Sequence, residues 1–390
     1  MLMLLLNAEI YDPRLVGRRH LLIAAGKILW MGQQPPQFDD SLAVEVRDLE
    51  GLRVIPGIID GHAHITGVGG ESGYSSRIPP LPLQRFTRAG VTTVVGLLGT
   101  DDVTRNTATL VAGARGLREE GLSAYCHTGG YHVPPITLTG SVRSDIVHID
   151  PIIGVGEVAI SDHRSSQPTL DELLRIAGDA HVAGMMTGKA GIVHLHLGDG
   201  ERGLQLVRQA LDKSEIPARV FNPTHVNRRR ELFDEALSLA ERGCSVDVTA
   251  YPVRDGDKGW SAEAAIGRYL DSGLPGGRIT VSSDGGGCLP QFDADGTLSH
   301  MDVGSPGILA DTLGKLLDSG LALESVLPAF TSNPARLLRL PHKGTISVGA
   351  DADLIVIGED ASPRHVMALG RWHVLDGVVM INPTIQEARE

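Results

Sequence analysis

The run Val54-Ile-Pro-Gly-Ile-Ile-Asp-Gly-His-Ala-His64 decides how the rest of the sequence is read. Apolar residues lead straight into two histidines one position apart. Side chains alternate faces along a strand, so positions i and i+2 point the same way. The spacing predicts a strand over 53–59 whose end aims His62 and His64 at one point. Two imidazoles so placed are a metal-ligand pair, and the remaining chain is tested by whether it supplies the other ligands.

From Val54 onward, strand-like apolar runs alternate with helix-like segments. Strands are expected over 53–59, 91–96, 122–126, 151–160, 192–197, 219–224, 245–249 and 278–282. Helices are expected over 83–89, 105–120, 169–182, 203–211, 229–243, 262–270 and 308–319, followed by 323–330 and 333–338. In the third helix Leu170, Leu173, Leu174 and Ile176 suit a buried face. Parallel strands need crossover connections, and eight such units close naturally into an α/β fold of the (β/α)8 TIM-barrel type. An open doubly wound sheet is the alternative. Strand texture also flanks this region: a hairpin within 21–31 around Gly26-Lys27, a turn and strand within 344–357, and a hairpin within 371–381 around Asp376-Gly377. The expected organisation is therefore a barrel over 54–340 inserted into a small β-sandwich domain built from both chain ends, 1–53 and 341–390.

Active sites in such barrels lie at the C-terminal ends of the strands. Ligand-type residues fall there repeatedly. The first strand ends in His62 and His64, the fourth holds Glu157, the fifth ends in His196, the sixth in His225 and the eighth in Asp284. This imidazole and carboxylate set suits Zn²⁺, Mn²⁺, Co²⁺ or Fe²⁺. His127, His132, His163, His181 and His194 are read as ordinary core or surface histidines. His194 shares the inward face of His196 but lies one layer deeper.

Composition narrows the partners. The 390 residues carry a net charge of −12, against nucleic acid or an anionic membrane as the main partner. Cys126, Cys244 and Cys288 form no CxxC pair, which suggests a reducing compartment and no thiolate zinc site. Met1–Leu6 is apolar but lacks a basic leader and reads as a first strand, and no run reaches the ~20 apolar residues of a membrane helix. A cytoplasmic location is expected.

The stretch from Pro56 to His64 resembles the first-strand signature of the amidohydrolase superfamily, and Gly349-Ala-Asp-Ala-Asp-Leu-Ile-Val356 resembles its C-terminal motif. The chain is more closely similar to the isoaspartyl (β-aspartyl) dipeptidases. That likeness is carried by Gly67-Val-Gly-Gly-Glu-Ser-Gly73, the run from Gly90 to Thr100, Gly130-Tyr-His-Val-Pro134, Ala159-Ile-Ser-Asp-His-Arg164, His196-Leu-Gly-Asp199, Pro223-Thr-His-Val-Asn-Arg228 and Ser282-Ser-Asp-Gly285. The resemblance implies a hydrolase with two divalent metals, zinc first among them, and a one-metal site as the alternative. His62, His64 and Asp284 would hold the first metal and His196 and His225 the second, with a bridging carboxylate from the fourth strand. A hydroxide shared by the metals would attack the amide carbonyl, with Asp284 moving the proton and Tyr131 polarising the carbonyl.

On the substrate side, Arg164 and Arg228 would hold the two carboxylates of a β-aspartyl dipeptide. Glu71 would accept its ammonium, and Thr100 and Tyr131 would add hydrogen bonds. Asp284, Tyr131 and Glu71 are thus the expected catalytic set, the substrate is a small dipeptide, and a homo-oligomer is implied. Two departures stand out. Glu157 occupies the place of a carbamylated lysine. No lysine occurs between residues 28 and 188, and Lys189 is poorly placed to substitute. A bulge at Gly156 would give the shorter glutamate its reach. Cys288 stands where a serine is usual, and a thiol is a weaker donor. An N-acyl-amino-acid or N-acetyl-sugar deacetylase is the alternative activity, and a metal-free scaffold the non-enzymatic one.

Overall fold

The computed structural model describes residues 2–253, 256–292 and 298–381; part of the expected C-terminal segment, 382–390, lies outside them. Six strands form one parallel sheet in sequence order: β1 (Ile58–Ala63), β2 (Val91–Gly96), β3 (Ser123–Thr128), β4 (Ile152–Ser161), β5 (Val193–Leu197) and β6 (Phe221–Thr224). β7 (Val246–Thr249) and β8 (Ile279–Ser282) form a second parallel pair. The end of β8 returns to β1: Asp284 N donates to His62 O at 3.1 Å and His64 N to Gly285 O at 2.7 Å. The fold is mixed α/β and TIM-barrel-like. Every residue of β4 is buried, as a strand covered on both faces requires.

The crossovers show why the chain takes this path. The helix Leu170–Thr187 starts with a capping box between Thr169 and Glu172 and stops at Gly188, which adopts the left-handed conformation with φ 74°. It buries Leu173, Ile176, Ala177, Ala180 and Ala183, while Leu170 and Leu174 are only partly covered. It runs past the expected end at 182 to this glycine cap, and Gly184 on the way crosses Gly191 closely. A Cβ on Gly184 would lie 2.6 Å from the Gly191 Cα. The short helix Val142–His148 was not anticipated, nor was the antiparallel pair Cys288–Phe292 and Leu298–Val303 inserted after β8.

The expected first strand, 53–59, is two strands. Arg53–Pro56 belongs to a nine-stranded sheet made from both chain ends, where it pairs with Leu2–Asp12 and with Leu354–Ile357. The chain passes into β1 at Gly57, packed so closely on β2 that a Cβ would meet Thr92 Oγ1 at 2.0 Å. The two apolar runs read as one because only this glycine separates them. Met3, Leu5, Ile23, Val54 and Leu354 form the core of the end sheet, separate from that of the parallel strands. Buried Lys343 links the layers, donating to Ser123 Oγ at the start of β3 and to Asp353 Oδ2. Among the described residues, no helix is long and apolar enough to cross a membrane.

Candidate metal centre

All six expected ligand residues, from β1, β4 and β5 and from the ends of β6 and β8, come together around Glu157 and Asp284. His64 Nε2 lies 3.1 Å from Asp284 Oδ1 and 3.6 Å from Glu157 Oε1. His62 Nε2 lies 3.4 Å from Asp284 Oδ1 and 3.7 Å from Glu157 Oε2, and His225 Nε2 is 3.5 Å from that same oxygen. Ligands bound at about 2.1 Å in a tetrahedron are separated by about 3.4 Å, so these spacings are those of a coordination shell. Two donor groups recur, His62 with His64 and Asp284, and His62 with Glu157 and His225. His62 Nε2 and Asp284 Oδ1 are buried and make no hydrogen bond, which a protein avoids unless another partner completes them. The donor set fits a divalent cation.

Local geometry delivers each ligand differently. β1 does so across a register shift: Asp60 and Ala63 pair with Val94 and Gly96 of β2, so β1 holds one extra residue beside His62. β4 does so by a bulge: Val193 and Leu195 of β5 pair with Val155 and Val158, so β4 holds one extra residue there. Gly156 has φ +152°, and a Cβ would lie 2.7 Å from His194 O, so no other residue fits without a shift. His225 and Asp284 both sit at positive φ just after their strands, at 60° and 51°, turning their side chains back over the barrel mouth.

Charges compensate within the cluster. Burial alone would raise the Glu157 carboxyl; the fields of His62 and His196, with hydrogen bonds from His196 and His225, outweigh it and hold it well below the usual range. Asp284 is also opposed by burial and held well below its ordinary value by contacts with His62 and His64. Burial depresses His62, but Glu157 and then Asp284 lift it to about 9, and the same field attracts a cation. Burial pushes His225 down to about 3, against its contact with Glu157.

A chain of hydrogen bonds beneath the cluster orients His62. Asn222 Nδ2 donates to Ser245 O at 3.3 Å, so its Oδ1 accepts from His194 Nδ1 at 2.7 Å. Buried His194, pushed down to about 4 by burial and the charge of His62, is neutral, so its Nε2 accepts from His62 Nδ1 at 2.9 Å. That leaves His62 Nε2 facing the centre. His225 Nδ1 is held likewise, 2.7 Å from Thr249 Oγ1. His194 thus has a positioning place that its background reading overlooked. The signal was present in its alternation with His196, but its Asn222 partner lies on another strand.

His196 differs from the other five. Its Nδ1 contacts Glu157 Oε2 at 2.9 Å, its Nε2 contacts Asp162 Oδ2 at 3.0 Å, and the Tyr131 hydroxyl lies 2.9 Å from Nδ1. Both ring nitrogens are therefore engaged by protein groups. Asp162, given no role from sequence although it lies in a quoted motif, also accepts from Arg164 Nε at 2.9 Å and Nη2 at 2.7 Å. Arg164 reaches Glu71 Oε1 at 3.1 Å, and Thr100 Oγ1 donates to that same oxygen. The expected substrate residues Glu71, Thr100, Tyr131 and Arg164 thus lie together along one rim. Arg228 is half-buried beside Tyr131 and His225 and makes no ion pair among the described residues. Cys288 borders the rim, 3.1 Å from where a Cβ on Gly69 would lie, and burial followed by the charges of Glu71 and Asp284 pushes its thiol up to about 12. Lys189 is remote, its Nζ donating to Ile146 O and Ile149 O.

A barrel mouth of this kind defines a class, and sequence comparison agrees. The chain belongs to the amidohydrolase family, whose profile matches residues 53–373. It is a hydrolytic enzyme of a metal-dependent family, with a cluster able to bind metal. A β-aspartyl dipeptidase from Fervidobacterium islandicum AW-1, solved in complex with β-Asp-Leu, is 43% identical with TM-score 0.91 over 97% of both chains. More distant relatives are an allantoinase of Enterococcus faecalis, 24% identical over 87% of this chain and 83% of its own, and a deacetylase of Brucella anthropi, 26% identical over 88% and 78%.

Proposed function

We infer that this enzyme hydrolyses β-aspartyl (isoaspartyl) dipeptides to aspartate and the second amino acid. The observation that carries the inference is the likeness, 43% identical over nearly the whole chain, to a dipeptidase solved with β-Asp-Leu. The rim supports it: two arginines and one glutamate match the two carboxylates and one ammonium of that substrate.

Divalent ions held by His62, His64, Glu157, His196, His225 and Asp284 would supply Lewis-acid polarisation of the amide and an acidified water nucleophile. We take zinc as the metal and two ions as the complement; Glu157 would be the carboxylate common to both, and His196 would be among the residues that hold them. Asp284, ionised at neutral pH, takes the proton of the attacking water and passes it to the leaving amine nitrogen. Burial, then the charge of Glu157, keeps the Tyr131 phenol protonated, and it donates a hydrogen bond to the carbonyl oxygen as charge develops there. Arg164 and Arg228 bind the carboxylates, Glu71 the ammonium, with Thr100 holding Glu71, and Cys288 borders a carboxylate.

The parallel strands close into one (β/α)8 barrel that starts at β1, and the sheet drawn from both chain ends, Arg53–Pro56 included, forms its companion β-sandwich domain. The protein acts in the cytoplasm as a homo-oligomer, a location supported by three free cysteines.

The test is metal per chain by elemental analysis, together with turnover of β-Asp-Leu, α-Asp-Leu and N-acetyl amino acids. β-Asp-Leu is expected to be the preferred substrate. Fully metallated protein that leaves β-Asp-Leu intact overturns the proposal, and preferential cleavage of the N-acetyl compounds assigns a deacetylase.

A further inference from the structure

The opposite end of the parallel strands holds a second concentration of charge, of one sign only. A cavity of about 390 Å³ opens where the chain enters β6, β7 and β8, beside the helix Ser332–Leu337. Its lining includes Arg219, Ser245, Arg278, Arg336 and Arg339, and no aspartate or glutamate.

The four guanidiniums are held by neutral groups. Arg219 Nη2 meets His181 Nδ1 at 3.3 Å, and Arg278 Nη1 donates to Gly243 O at 2.7 Å. Arg336 Nη2 donates to Gly277 O at 2.6 Å and Asn333 Oδ1 at 2.9 Å; Arg339 Nη1 donates to Gly184 O and Lys189 O, both at 3.1 Å. Each arginine thus uses one terminal nitrogen, and among the described residues its other nitrogens have no hydrogen-bond partner and it makes no ion pair. Four like charges around one hollow repel each other, and an acidic chain has carboxylates to spare for them. Burial and the Arg339 charge both push Arg219 below its ordinary range, with no carboxylate opposing them.

Planar guanidinium forks match phosphate oxygens in pairs, and the volume lies within the range of small-ligand sites. We propose that this arginine-lined cavity binds a phosphate-type oxyanion, either free phosphate or a small phosphomonoester. The site is separate from the metal centre. Arg219 lies in the 3-10 turn Ala218–Val220 before β6 and His225 just after it, so the length of that strand, about 13 Å, stands between them.

The test is calorimetric titration of the metallated protein with inorganic phosphate and with ribose 5-phosphate, against sodium chloride at matched ionic strength. Saturable binding is expected, weakened at least tenfold in Arg219→Gln/Arg339→Gln and unchanged in Glu157→Gln. Tighter binding of ribose 5-phosphate assigns the cavity to phosphomonoesters, and equal binding assigns it to free phosphate. Arg336→Gln, whose residue is exposed and leaves the deeper arginines in place, is expected to weaken binding should the double variant fail to fold. Absence of saturable binding overturns the proposal. So does binding that survives the arginine variants or disappears in Glu157→Gln.

Discussion

β1 and β4 bring ligands to the same point through one extra residue each, set in different surroundings. On β1, the glycine before His62 is unconstrained, and a Cβ on Gly61 would meet nothing within 4 Å. On β4, the glycine before Glu157 is packed against His194 and sits in a register shift. Each strand holds one extra residue beside its ligand, but only on β4 does a neighbouring strand press on the glycine at the shift. The first shift therefore leaves room for a side chain, and the second depends on its neighbours.

The largest expected effect comes from the charge that the bulge presents. Glu157→Gln should lower kcat/KM for β-Asp-Leu by about 10³-fold or more, as removal of a charge-stabilising group at a reacting centre does. Metal content should fall toward one per chain, and two tightly held metals in this variant would show that Glu157 is not the bridge.

The matched pair Gly156→Ala and Gly61→Ala isolates the backbone. The first should cost about 1–3 kcal/mol in denaturant unfolding through overpacking, and lose metal as Glu157 shifts. The second should change stability by less than about 0.5 kcal/mol. Equal effects of the two substitutions would erase the distinction between the strands.

Asn222→Leu tests the support that β1 borrows from β5 and β6. Metal affinity should fall about 10- to 100-fold, measured by competition with a chelating dye, while the unfolding transition stays cooperative. The smallest effect belongs to the rim: Cys288→Ser should lower KM by about two- to tenfold, the worth of one neutral hydrogen bond, with kcat little changed.

The same contrast governs what could be read from sequence. His62 and His64 were legible as a pair because their spacing is local, although the extra residue beside His62 is set by pairing with β2. The alternation of strands and helices was legible for the same reason. Glu157 was legible as a residue type in a family motif, but its position depends on pairing with β5, which no single strand reveals. His225 and Asp284 could be placed at strand ends, yet the positive φ that turns them inward belongs to the loops. The engagement of His196 by Asp162 and of His194 by Asn222 crosses between strands, so the alternation of the two histidines showed where they lie but not what they touch. The division of the first strand at Gly57 was hidden because both halves are apolar, and Ile55 and Ile58 on either side of it share one core.

That division also has a consequence for how the chain is made. Ile55 pairs with Ile355, three hundred positions later, while Ile10 pairs with Val54 almost at once. During synthesis, one edge of Arg53–Pro56 waits unpaired until Leu354–Ile357 has left the ribosome. An open strand edge is a template for pairing with other chains. The later strand therefore acts as a seal on the earlier one, and a nascent chain cut short before Leu354 keeps an adhesive edge, however well its barrel has formed.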